Sequence, residues 1–485
     1  MAVEDWDGEG LQSSPKVKSV AIIGAGASGT VAAVAFKSED YFDTIKVFER
    51  REAPGGTWLY DDNPPVSLHV EPGALPTSLD RPLEIPEELP QILPHNRQER
   101  FESTPIYESL ITSVPEIAMS FSDKRFGQGP FVPHSIPRTY LQDYYSLHQM
   151  EDLLFLKTTV EDLSKVSSDD GQYRWRLTLR KYDAVRDVDE WWQEVFDAVV
   201  IANGQFSVPY IPDVEGLGDY MQKYPGRVSH SKTYRRPGPY KDKKILVVGN
   251  SLSGRDITEE VTKVARRPVY ISRRHKSRWE GSSPDERTEW KPVIEEFVAE
   301  TGQILFDDGS SLDDIDHIIY CTGYRPSFPF WNGKTNGQEL YDYEKKKLNG
   351  SYLHTFFQNY PTLGIIGLGQ SLAFRSYEYQ AIALARVFAG TNATTLPPLK
   401  EMKEWERSWE EVSERDDADF HTVPFENGQL LRWYTQLSNI AGMPFCGKGR
   451  VPPAFTDETL WQLQNIRRLD EPGNGVLGYK KESEE

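Results

Sequence analysis

Val20-Ala21-Ile22-Ile23-Gly24-Ala25-Gly26-Ala27-Ser28-Gly29 is the stretch that decides the fold. Four apolar, β-favouring residues run into a GxGxxG turn, and Thr30 to Phe36 continues in small and apolar residues suited to a buried helix. Strand, tight turn and helix in that order are what a dinucleotide fold requires. Gly24 permits the turn, Gly26 lets backbone N–H groups approach a pyrophosphate, and Gly29 lets helix pack on strand. The helix N-terminus, with Ser28 in its first turn, adds partial positive charge. A second apolar run, Ile45-Lys46-Val47-Phe48, ends at Glu49, 20 residues beyond Gly29. A carboxylate there accepts hydrogen bonds from ribose hydroxyls and repels a 2′-phosphate, so the first turn calls for FAD or NAD.

The pattern recurs with one alteration. Lys244-Ile245-Leu246-Val247-Val248 leads into Gly249-Asn250-Ser251-Leu252-Ser253-Gly254, Ser253 to Ala265 reads as helix, and Pro268-Val269-Tyr270-Ile271 as the next strand. That strand stops at Ser272-Arg273-Arg274-His275-Lys276, with Arg274 20 residues after Gly254. A basic cluster replaces the acid, which is the electrostatic requirement for a 2′-phosphate, so the second nucleotide is expected to be NADPH. Ser251 stands where the middle glycine would be. It makes close backbone approach harder and offers a hydroxyl to a phosphate in exchange.

Composition sets the outer limits. A chain of 485 residues exceeds a single core, so two domains are expected. A net charge of −19 with no basic stripe argues against nucleic acid and anionic membrane surfaces. Only Cys321 and Cys446 are present, too few for a disulfide framework or a CxxC pair, which suits a cytoplasmic protein. The nine histidines lack metal-ligand spacing, so no metal is expected. The acidic beginning, Met1-Ala2-Val3-Glu4-Asp5-Trp6-Asp7, lacks signal-peptide order, and no apolar stretch is long enough to span a bilayer.

Residues 61–100 carry eight prolines, a density that excludes long helices and central strands and predicts an extended surface insertion. Tyr173 to Leu179 alternates as a half-buried strand. Phe196-Asp197-Ala198-Val199-Val200-Ile201-Ala202-Asn203-Gly204 is an apolar strand ending in a small-residue turn, and a near copy stands at Ile315 to Gly323. The expected fold is therefore α/β, with two Rossmann-type dinucleotide-binding domains, the NADPH domain inserted in the FAD domain. The expected division is 1–206 for the first part of the FAD domain, 207–328 for the NADPH domain, and 329–485 for the rest with a C-terminal extension. Trp405 and Trp409 have helical spacing and are read as a packing face.

Six ordered segments then resemble the flavin-containing monooxygenases, the class B flavoprotein oxygenases. Besides the two turns, Gly55-Gly56-Thr57-Trp58 is similar to the family's GGxW segment beside the flavin, and Tyr107 to Pro115 to its YxxLxTNxP segment. Tyr224-Pro225-Gly226-Arg227-Val228-Ser229-His230-Ser231-Lys232-Thr233-Tyr234 is similar to FxGxxxHxxx(Y/F), and Cys321 to Phe330 to ATGYxxxFPF. The resemblance implies that Gly24, Gly26, Ser28, Gly29, Glu49, Gly56, Thr57, Trp58, Thr112 and Gln370 hold FAD. It implies that Gly249, Ser251, Leu252, Ser253, Gly254, Ser272, Arg273 and Arg274 hold NADPH. Reduced flavin would take up O2 as a C4a-hydroperoxide that oxygenates a soft nitrogen or sulfur atom of a small molecule. Two positions are the catalytic candidates. Ser113 replaces the family's asparagine, with a shorter side chain and one donor, and His230 is read as holding the interdomain hinge, with acid/base work as its alternative role.

Other readings remain open. A Baeyer–Villiger monooxygenase uses the same scaffold on ketones, but its fingerprint ends in HxxxW(P/D), where this chain has Tyr234-Arg235. A disulfide reductase of similar architecture needs a CxxC, which is absent. A non-catalytic NADPH-binding regulator, and assembly as a homo-oligomer, are left open by the residues.

Overall fold

The computed structural model describes residues 17–64, 70–167, 173–276, 283–369, 373–416, 418–424 and 428–466. Two sheets carry the two glycine turns. In the first, strand Ser19–Ile23 lies between Thr44–Phe48 and Ala198–Ile201, parallel to both. Leu154–Phe155 extends one side and Leu363–Ile365 the other, again parallel, and two short antiparallel strands close the sheet. The second sheet repeats the plan. Lys244–Val248 lies between Arg266–Ser272 and His317–Tyr320, with Thr288–Lys291 and Val228–His230 outside them, all parallel. In both, the glycine-turn strand sits between a strand ending in charge and a strand ending in small residues.

The near-continuous apolar strands are explained by burial on both faces. Val20 and Ile22 join the core under the first helix, Ala27–Ser38, whereas Ala21 and Ile23 face a second cluster containing Trp175, Leu177, Phe330 and Trp331. The first helix packs against Ala373–Ala389 and is buried from Ala27 through Phe36, so small residues on all its sides are a packing requirement. The second sheet alternates in the same way: Leu246 and Ile318 face Tyr220 and Phe306, and Ile245 and Val247 face Ile257 and Val261.

An antiparallel sheet of Gln91–Pro94, Val188–Phe196, Tyr173–Asp183 and Thr158–Ser167 covers the first sheet's second face. Tyr173 to Leu179 is thus a strand, extended to Asp183. The described residues of the proline-rich segment are mostly exposed or half-buried, with a few inward anchors. It contributes Gln91–Pro94 as an edge strand, where a proline costs no ladder bond, and it is anchored inward. Val70 enters the core of the second sheet. Asp80 and Arg100 begin a buried ionic chain: Ser327 donates to Asp80 at 2.7 Å, Arg100 bridges Asp80 and Glu161 at 3.2 Å each, and Arg180 bridges Glu161 and Asp189. The anchors are single long-range contacts, which a proline count cannot reveal. Trp405 and Trp409 stack 6.0 Å apart on helix Leu399–Arg415 and pack against His354, a packing face as expected.

Candidate active site

The first turn is built by backbone contact. Gly24 has φ +105, and a Cβ there would lie 2.6 Å from the Ala202 carbonyl oxygen; one on Gly29 would lie 1.8 Å from that of Gly24. The loop Gly55–Trp58 closes over this turn. Gly55 N–H donates to the Ala25 carbonyl at 2.9 Å, and a Cβ on Gly56 would come within 2.7 Å of the Gly26 Cα. Thr57 and Trp58 follow, half-buried, with the Trp58 ring edge-on to Phe374 at 6.3 Å. Glu49 is buried at the end of its strand. One carboxylate oxygen accepts from Ala25 N–H at 2.8 Å and the other from Arg51 N–H at 2.9 Å. Each oxygen keeps a lone pair. Ser28 is buried, its hydroxyl against Gly367, and Gln370 lies outside the described residues.

The second turn superposes this logic on different charge. Gly249 also has φ +105, with a would-be Cβ 2.7 Å from the Cys321 carbonyl oxygen, and one on Gly254 would lie 2.0 Å from that of Gly249. Ser251 caps helix Leu252–Val261 with φ −82 and ψ −163, nearly the −74 and −169 of Gly26. That is ordinary extended backbone, and the exposed position tolerates the side chain. Leu252 is exposed and Ser253 half-buried at the helix start. The basic stop wraps the turn: Gly249 N–H donates to Ser272 O at 2.9 Å, and Asn250 Nδ2 to His275 O at 2.8 Å. Arg273 is half-buried and Arg274 exposed, whereas the buried Ser272 donates its hydroxyl to Pro292 O at 2.8 Å.

The segment 107–115 joins the two units. Tyr107 donates to Asp256 at 2.6 Å, Ser109 to Glu260, and Tyr234 to the other oxygen of Glu260 at 2.5 Å, so the helix after the second turn is hooked to the segment that carries Ser113. Thr112 uses its side chain to pin this segment. Its N–H donates to Val132 O at 2.9 Å and its hydroxyl accepts from Val132 N–H at 3.1 Å. Ser113 follows, half-buried.

His230 ends a strand at the junction and is 3 % exposed. Its Nδ1 accepts from Lys232 N–H at 3.1 Å, which puts the proton on Nε2. Burial holds its pKa down to about 3, with the Gly323 carbonyl opposing, so the ring is neutral at ordinary pH. Cys321, beside the second turn, has its thiol pushed up to about 12 by burial and stays protonated.

Sequence reasoning missed a clasp of basic side chains at this junction. Five consecutive carbonyls accept from basic side chains: Arg100 O from Arg50, Phe101 O from Lys232, Glu102 O from Arg51, Ser103 O from Lys232, and Thr104 O from Arg235. Lys232 is fully buried, and burial with the neighbouring Arg50, Arg51 and Arg235 lowers its pKa to about 6. Arg50-Arg51 immediately after the acidic stop was the only hint in the chain.

Among the described residues, no group of three or more His, Cys, Asp or Glu is placed to hold a metal, and no helix is long and apolar enough to cross a membrane. A family model described as flavin-binding monooxygenase-like matches residues 76–284 and 285–428, and one described as an NAD(P)-binding Rossmann-like domain matches 22–81. The flavin-containing monooxygenase iboF of Amanita muscaria (strain Koide BX008) is 30% identical over 490 residues, covering 89% of this chain and 90% of that one. The flavin-containing monooxygenase FMO GS-OX5 of Arabidopsis thaliana is 32% identical, covering 80% of this chain and 76% of that one. Among solved structures, the S-allyl-L-cysteine S-oxygenase of Allium sativum matches with a TM-score of 0.67 at 26% identity, covering 87% of this chain and 88% of that one.

Proposed function

This chain belongs to the flavin-binding monooxygenase-like family, and from that premise we propose that it oxygenates a soft nucleophilic nitrogen or sulfur atom of a small molecule. Its cofactors are FAD and NADPH. The overall balance is substrate, O2, NADPH and a proton giving oxygenated substrate, water and NADP+. The observation that carries the reading is the pair of matched glycine turns with opposite charge at the neighbouring strand ends, Glu49 in one and Arg273-Arg274 in the other.

The residues fit both groups. The backbones of Gly26 and Gly56 approach so closely that a side chain at 56 would force them apart, and neither glycine-turn helix has a side-chain cap, which leaves its first-turn N–H groups to phosphate oxygens. Glu49 has lone pairs left for ribose hydroxyls. In this reading Gly24, Gly26, Ser28, Gly29, Glu49, Gly56, Thr57 and Trp58 hold FAD on 1–206 and 329–485. Gly249, Ser251, Leu252, Ser253, Gly254, Arg273 and Arg274 hold NADPH on 207–328. FAD, reduced by NADPH, supplies the activation of oxygen.

The chain's own groups bind, orient and exclude water. Trp58 and Phe374 supply an apolar wall beside the loop at the first turn. Ser113 presents one hydroxyl donor where the family's asparagine would present an amide, and Thr112 fixes the backbone that carries it. His230, neutral and tied to Lys232 N–H, is a hinge residue rather than a proton carrier. A sulfur substrate has the support of the Allium relative's S-oxygenase activity; tyrosine and arginine at 234 and 235 weigh against the ketone alternative.

The test is rapid mixing of the NADPH-reduced, FAD-loaded protein with oxygenated buffer while flavin absorbance is recorded. A transient species discharged by amines or sulfides, with oxygenated product formed, is the expected result. Discharge by ketones alone, or reoxidation with stoichiometric hydrogen peroxide whatever the substrate, would overturn it.

A further inference from the structure

We propose that Glu260 is a positioning residue, which latches the NADPH-binding unit to the segment carrying Ser113 and so fixes where that unit sits when it delivers its coenzyme. The inference rests on the NADPH reading above and deepens it.

Glu260 lies on helix Leu252–Val261, the helix that leaves the second glycine turn, and both its carboxylate oxygens accept hydrogen bonds. Ser109 donates to one and Tyr234 to the other, the latter at 2.5 Å. The donors come from separate segments, one leading to Ser113 and one following the hinge residue His230. Asp256, four residues before Glu260 and so on the same stripe of the helix, accepts from Tyr107 at 2.6 Å. Ile257 and Val261, the next stripe round, pack with Ile245 and Val247 of the sheet. Helix stability does not account for the glutamate. It stands in the last turn, where a carboxylate opposes the helix dipole.

Residues 107–116 are divided between the two units. Tyr107 is buried in the core of the second, with Tyr234, Ile257 and Val261, and Glu108 N–H donates to Arg235 O at 2.9 Å. From Leu110 onward the partners change to residues 130–134. His134 N–H donates to Leu110 O at 2.9 Å, Thr112 N–H to Val132 O at 2.9 Å, and Glu116 N–H to Pro130 O at 2.7 Å. Between Ser109, held by the second unit, and Thr112, pinned at Val132, three residues span at most about 10 Å when extended. That link has little slack. The second unit cannot shift against the segment bearing Ser113 without breaking the Glu260 contacts or the Thr112 pair. Hydride transfer between two bound cofactors tolerates little misplacement, so the latch acts on the reaction while touching neither cofactor.

The experiment uses the full-length, FAD-loaded protein and its Glu260→Ala, Glu260→Gln, Ser109→Ala, Tyr234→Phe and Glu260→Ala/Tyr234→Phe variants. It measures binding of adenosine 2′,5′-bisphosphate and of AMP, the rate constant of flavin reduction at saturating NADPH, and amide hydrogen exchange without coenzyme. In Glu260→Ala, bisphosphate binding should change by less than about twofold while flavin reduction slows about tenfold. Exchange should rise about tenfold in 107–113 and stay unchanged in Lys244–Val248, which shows the second sheet intact. Glu260→Gln keeps one acceptor oxygen and should fall between the parent and Glu260→Ala. In the Glu260→Ala background Tyr234→Phe should cost nothing further, the signature of residues acting as one. Unchanged reduction, unchanged exchange in 107–113, bisphosphate binding lost in step with reduction, or additive losses in the double variant would each overturn the inference and leave the NADPH reading standing. If Glu260→Ala does not fold, Glu260→Gln and Ser109→Ala decide by the same measurements. A wild-type protein that binds the bisphosphate no better than AMP would overturn the NADPH reading and this inference with it.

Discussion

At the scale of single residues, Gly29 and Gly254 make the sharpest division of labour. Each stands where a Cβ would meet a carbonyl oxygen of its own turn, at 1.8 and 2.0 Å. That oxygen is backbone, so the clash cannot be relieved by a rotamer and must shift helix against strand. Gly29→Ala is expected to yield protein with little bound flavin, whereas Gly254→Ala should keep its flavin while its KM for NADPH rises more than about tenfold, roughly 1.4 kcal/mol or more. Bound flavin per chain and NADPH kinetics read both. If Gly254→Ala lost its flavin and Gly29→Ala did not, the two turns have been assigned the wrong way round. These glycines were legible because their need is local: turn, helix start and strand lie within ten residues. Ser251 was less legible, since its harmlessness depends on φ −82 and on its exposure. Ser272 was less legible again, because a serine at a strand end reads as a phosphate donor, whereas its hydroxyl donates to the Pro292 carbonyl.

At the scale of elements, the segment 100–104 shows what a sequence conceals. Its five carbonyls are held by Arg50 and Arg51 from the first unit and by Lys232 and Arg235 from the segment after His230, partners as much as 131 residues away. Hydrophobic periodicity located the strands on both sides, yet side-chain donors reaching backbone carbonyls leave no periodic mark. The same limit hid the inward anchors of the proline-rich segment, its own buried Asp80 and Arg100. Arg235 is the best probe of the clasp, since it donates to Lys232 O and Tyr234 O at 2.9 Å, to Thr104 O at 2.9 Å, and to Asp61 O. Lysine keeps the charge but cannot span these directions at once. Arg235→Lys should cost about 3 kcal/mol of stability and expose the 100–104 segment to proteolysis before global unfolding. Chemical denaturation and limited digestion measure the two effects. A variant as stable and as protease-resistant as the parent would show the clasp to be incidental.

At the scale of the whole molecule, buried bases set how stability depends on pH. His230 and His421 are held down to about 3, His317 to about 4, and His354, which shares a 3.1 Å hydrogen bond with His421, lies well below its ordinary value. Burial is the first cause in each; Lys243 adds to it at His317 and His421 at His354. Between pH 6.5 and about 4 the unfolded chain binds protons at these rings and the folded chain does not, so stability falls as acid is added. The loss is about 1.4 kcal/mol per pH unit for each ring. Lys232 tilts the curve the same way at higher pH. With a folded pKa near 6 against an ordinary 10.5, it is charged only in the unfolded chain across that window, and stability rises with pH there. The melting temperature is therefore expected to climb from pH 5 through 8. Lys232→Met should flatten the portion above pH 7 and leave the steep portion below 6.5 in place, because the histidines own it. Thermal melts of both proteins across pH 5–9 separate the contributions. A melting temperature that is level, or higher at pH 5 than at pH 7, would mean that the four rings take up protons without unfolding and that the packing around His230 and the His354–His421 pair is looser than these contacts require.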